Sequence, residues 1–189
     1  MFGTLLERIL KQLRARAPAV PGATAHAQAL AHWCAVADRG EVDAALAGLA
    51  AALDGSVADA DIHVEIARLR YARGDAAAAE RALRAALALR PDFALCHINL
   101  GHITVDRLDS AEAVRHYDAA LAIAPATPGV ELARAGALLQ SGDYRRGFQA
   151  YECRWNVVNV VQRRWIFERP RWDGATDIKG STLLVHEEQ

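Results

Sequence analysis

Cysteine is scarce. Cys34, Cys96 and Cys153 are the three in 189 residues, far apart in the chain and with no C-x-x-C pair. That excludes a disulfide framework and points to a reducing compartment, so we expect a cytoplasmic protein. Long apolar runs are missing too. No stretch approaches the length needed to span a bilayer. The N-terminal stretch from Met1 to Arg14 breaks its apolar residues with charges every few positions, unlike a secretory signal. A net charge of −1 gives no global argument for binding nucleic acid or a membrane surface. Neither phosphate-cradling motif, G-x-x-x-x-G-K-S/T or G-x-G-x-x-G, occurs. Aromatic residues make up only 6%.

What remains is rich in Ala, Leu and Arg, and these favour helix because they lose little side-chain entropy there. Charge is distributed unevenly. Residues 1–20 carry four basic and one acidic side chain, residues 21–144 ten and sixteen, and residues 145–179 eight and four. Most of this is solvated surface.

A period of 34 residues organises the middle of the chain. Four copies align without gaps at 26–59, 60–93, 94–127 and 128–161. The eighth column reads Trp33, Ala67, Gly101, Ala135, and the twentieth Ala45, Ala79, Ala113, Gly147. The twenty-fourth reads Leu49, Leu83, Tyr117, Tyr151. Small residues at the eighth and twentieth columns let two antiparallel helices approach, and the large twenty-fourth residue fills the space between successive pairs. Gly40, Gly74, Leu108 and Gly142 share the turn position, and Pro91 and Pro125 close the second and third copies. Asp109, or Ser110, is expected to cap the helix that follows the third turn.

These residues resemble the tetratricopeptide repeat over about 130 residues. The resemblance implies an all-α, right-handed superhelical stack of about four helix pairs over 26–156. Residues 1–25 are expected to form a capping helix and linker. Leu5, Leu6, Ile9, Leu10 and Leu13 share one helical face there, and Pro18 and Pro21 end it. The resemblance also implies a protein or peptide partner on the concave face, held by columns two, five, nine, twelve and thirteen of the first helices. The residues in question are Arg68, Tyr71, His102 and Asp106. Asn99 matches the asparagine ladder with which O-linked N-acetylglucosamine transferases grip peptide backbone.

Other chemistry fares less well. Cys96, His97 and His102 lie on one predicted helix, but the two histidines are five residues apart and do not share a face as i, i+4 metal ligands do. We therefore expect no metal site. Trp155, Trp165 and Trp172 lie among Arg163, Arg164, Arg169 and Arg171. Base stacking also needs a basic groove, which the acidic repeats do not offer, so we expect these tryptophans to pack a junction and no nucleic acid to bind.

Past Trp155 the pattern breaks. Ser181 to His186 reads as a short strand after a turn at Lys179-Gly180, with nothing in the chain to pair with. The series Gly142-Asp143-Tyr144, Gly147-Phe148, Tyr151-Glu152, Arg154-Trp155, Pro170-Arg171-Trp172-Asp173-Gly174 and Glu188-Gln189 resembles a junction in certain bacterial proteins. In these a tetratricopeptide array leads into a glycosyltransferase-like domain. The resemblance implies that residues 157–189 are a linker and the first strand of such a domain, whose nucleotide-sugar lobe would begin after Gln189. As it stands the chain is then expected to carry no catalytic residues and no cofactor. It is a peptide-binding module or, alternatively, the substrate-presenting arm of a protein or lipopolysaccharide glycosyltransferase.

Overall fold

The computed structural model describes residues 23–125, 127–156 and Lys179. Eight α-helices follow one another among them. They are α1 (Ala23–Asp38), α2 (Val42–Ala51), α3 (Asp59–Ala72), α4 (Ala76–Leu89), α5 (Ala94–Asp106), α6 (Ser110–Ile123), α7 (Pro128–Gln140) and α8 (Tyr144–Tyr151). A 3-10 turn, Glu152–Asn156, ends the series. No strand occurs among the described residues. The expected N-terminal helix, the strand at 181–186, Trp165 and Trp172 all lie outside them.

Each odd helix pairs with the even helix after it, and each even helix packs on the next odd one. The fold is thus a stack of four helix pairs, as the 34-residue period requires. Three apolar clusters run along it. The first joins Leu46 and Leu49 to Ile62 and Leu69, and the second Ala79 and Leu83 to Leu95 and Leu100. The third joins Ala113 and Tyr117 to Val130 and Ala137.

The turn within each pair is the same device four times over. In the second copy, Gly74 N–H bonds to Tyr71 C=O (2.9 Å) and Asp75 N–H to Arg70 C=O (3.0 Å). This is the crossed pair of bonds that closes a helix through a left-handed residue. Gly40, Gly74 and Gly142 take φ of 89°, 82° and 85°, and Leu108 takes 62° in the same slot. The next residue starts the second helix. Asp75, Asp109 and Asp143 each accept from the N–H three residues on, at 2.9, 3.1 and 3.1 Å. The expected cap at Asp109 is therefore present. Ser110 instead donates to Gln140 Oε1 of α7 at 2.8 Å.

Size complementarity within a pair is sharper than the repeat columns suggest. A Cβ on Gly101 would lie 2.6 Å from the Tyr117 ring, so the large twenty-fourth residue sits over the small eighth residue of its own repeat. It also faces the next repeat. In the first copy the sizes are exchanged. Trp33 holds the eighth column, and Gly48 of α2 makes room for it, since a Cβ there would come within 2.0 Å of the indole.

The first junction has no closing proline, and a carboxylate organises it. Asp59, at 1% exposure, accepts from Asp54 N–H at 3.0 Å and Gly55 N–H at 2.7 Å. Its other oxygen lies 3.0 Å from His26 Nε2 at the start of α1.

Candidate functional site

Arg68 and Tyr71 lie on α3, and Asn99, His102 and Asp106 on α5. Helix geometry places residues three and four apart along one side of each helix. The structure brings part of the set together. The Tyr71 hydroxyl donates to the Asp106 carboxylate, bridging the two helices, and both side chains are exposed.

Arg68 is positioned from beneath. Glu65, one turn earlier on α3 and 1% exposed, accepts from Arg68 Nε at 2.9 Å and Nη2 at 2.5 Å. This pairing, together with the nearby Cys34 and Asp38 of α1, raises the guanidinium pKa. α1 packs against α3, so Arg68 lies near residues of both helices. Arg68 retains 39% of its side-chain exposure while anchored there.

His102 is placed differently from a free groove residue. Its Nδ1 lies 2.9 Å from the Tyr117 hydroxyl of α6, and the rings meet edge to face. Burial lowers its pKa, so the imidazole is neutral near pH 7. Burial, followed by the charge of Asp106, raises the Tyr117 phenol pKa. Asn99 lies one turn before His102 and is half-buried.

The other candidate ligands scatter. His97 faces His116 of α6, Nδ1 to Nδ1 at 3.3 Å. Cys96 is buried in the second apolar cluster, and burial pushes its thiol up to about 12, which leaves it protonated and unreactive. His26, Asp54 and Asp59 form a group that sequence spacing does not reveal, with ligand atoms within 4.8 Å of one another. Both Asp59 oxygens already hold the loop amides and His26. The group thus serves as a latch between α1 and α3.

One further repeat column gains a role only in the structure. Column fourteen reads Arg39, Arg73 and Arg107. Arg73 reaches back to Asp43 of the preceding repeat, Nη2 to Oδ2 at 2.9 Å, and Arg107 to Glu80 at 2.7 Å. Each pair links the turn of one repeat to the second helix of the repeat before it.

No family model and no curated protein matches the chain. Solved structures do. A crystal structure of MamA aligns with a TM-score of 0.61 at 18% identity, covering 80% of this chain and 85% of that one. A second MamA structure gives 0.61 at 16%, covering 89% of each. A third, of MamA MSR-1, gives 0.57 at 17% over 78% of this chain and 84% of that one. At such identities the likeness establishes the fold. No helix among the described residues is long and apolar enough to cross a membrane. The chain is thus a stack of helix pairs of the tetratricopeptide type, similar in fold to MamA.

Proposed function

We propose that this chain is a protein-binding repeat module that takes an extended peptide or a helix on the concave face formed by its first helices. Arg68, Tyr71, Asn99, His102 and Asp106 are the residues assigned to it. The observation that carries this reading is the Tyr71–Asp106 bridge beside Arg68. It places an aromatic ring, a carboxylate and a guanidinium on one exposed surface spanning two repeats. Mixed polarity of this kind suits a peptide backbone and its side chains better than a purely apolar ligand. The cytoplasm is the compartment we assign, on the scarcity and spacing of cysteine.

Arg68 and His102 also hold Glu65 and Tyr117, so removing them perturbs the stack. The test therefore uses the triple variant Tyr71→Ala, Asn99→Ala, Asp106→Ala. Its helicity should match wild type by circular dichroism, while the proteins that the wild type retains from its own cell lysate are lost. An unchanged set of retained proteins would sink the assignment.

The finer reading, in which the module is the N-terminal portion of a glycosyltransferase-like protein, rests on the sequence resemblance of residues 142–189. Sequencing the gene beyond Gln189 tests it. An in-frame continuation with a Gly-rich turn supports that reading, and an immediate stop codon removes it.

A further inference from the structure

Columns seventeen, twenty-one and twenty-four of each second helix adjoin the next repeat, while column twenty packs on the first helix of its own pair. Column twenty-four shows what that coverage achieves. Leu49, Leu83 and Tyr117 are 0%, 0% and 1% exposed, covered by α3, α5 and α7 in turn. The equivalent residue of α8, Tyr151, is 38% exposed. Tyr144 and Phe148, at columns seventeen and twenty-one, are each 63% exposed, with their rings stacked 6.4 Å apart. The corresponding Leu46 on α2 is buried. α8 therefore carries the largest side chains of the series at columns seventeen and twenty-one, where the other three copies are buried or half-buried, and leaves column twenty-four, buried in all three, partly exposed. A contiguous aromatic patch of this kind marks a contact surface.

In all three earlier cases the covering chain is the segment that comes next in sequence. It follows linkers of four to seven residues, 52–58, 90–93 and 124–127. After α8 the 3-10 turn occupies 152–156, a spacer of the same length. The next residues are Val157, Val158, Val160 and Val161, then Trp165, Ile166 and Phe167. Arg163 and Arg164 are the only charges between 157 and 167. We propose that residues 157–167 of this chain cover the Tyr144, Phe148, Tyr151 face of α8, as the following segment covers each earlier second helix. A stack of nearest-neighbour contacts needs such a cover at its end.

Hydrogen exchange on the full chain tests this, at a concentration where sedimentation shows a monomer. The comparison is with the triple variant Trp165→Ser, Ile166→Ser, Phe167→Ser, which leaves every described residue unchanged. Amides of 144–151 should exchange at least ten-fold faster in the variant, while those of 110–123 stay the same. Equal exchange at 144–151 in both chains would overturn the proposal. So would protection that appears only when the protein concentration is raised, which would make a second copy the occupant. Independently, a benzophenone amino acid at position 148 should crosslink within the same chain to a peptide from 157–167. A crosslink to any other segment or to another molecule would overturn it as well.

Discussion

Leu108 stands where the other three repeats carry glycine, and its backbone is left-handed all the same. For an L-residue that conformation costs roughly 1–2 kcal/mol, and glycine returns part of the gain as chain entropy. The side chain is 77% exposed and contributes little packing to offset the strain. Leu108→Gly should therefore stabilise the protein by about 0.5–1 kcal/mol, read as a higher urea midpoint at unchanged slope. Gly101 is the opposite case. Gly101→Ala sets a methyl 2.6 Å from the Tyr117 ring and should cost about 1–3 kcal/mol. The second repeat shows the alternative solution, Ala67 with Leu83 at the same two columns. Adding Tyr117→Leu should recover at least half of the loss, and a double-mutant cycle with no coupling would refute the pairing. The columns made this complementarity visible as a pattern of small and large residues. They did not show that Trp33 and Gly48 exchange the two sizes, because that pairing uses a different column.

Between elements, the contacts divide by how far apart in sequence their partners lie. The Asp caps and the turn glycines were legible because a helix end draws on residues within a few positions. The latch between α1 and α3 was not, since His26 and Asp59 are separated by most of a repeat and neither belongs to a motif. Asp59→Ala strips two loop amides and His26 of their acceptor and should cost about 2–3 kcal/mol. A change below 0.5 kcal/mol in urea unfolding would show that the latch is idle. Histidines link α5 and α6 as well, through His97–His116 and His102–Tyr117. Burial, the largest cause in each case, lowers the pKa of His63, His97, His102 and His116. For a base the sign is direct. The unfolded chain binds more protons, so this stability is fully present above the unfolded value of about 6.5 and is lost as pH falls below it. The urea midpoint should drop between pH 7.5 and 5.5. The double variant His97→Gln, His116→Gln should show a smaller drop, and an unchanged one would contradict the assignment.

At the scale of the molecule, the 34-residue period carried the architecture because every repeat meets only its neighbours, so one local pattern, repeated, fixes the global stack. The proposed binding surface is legible in the sequence only as a set of positions. Columns nine, twelve and thirteen name residues of α3 and α5. They did not reveal that Glu65 anchors Arg68 from below or that His102 turns toward Tyr117, since Glu65 shares its column with Asn99, read for peptide contact, and Tyr117 lies in a column read as core. Tyr71 and Asp106 are the two exposed members of the set, and Arg81 on α4, also exposed, belongs to a second helix outside the assigned surface. The most direct test places a photoreactive amino acid at position 71 or at position 81 of the full chain, in the living cell. Illumination should give a discrete protein adduct from position 71 and none from position 81. Equal adducts from both positions, or none from position 71, would contradict the claim that the first helices form the binding face.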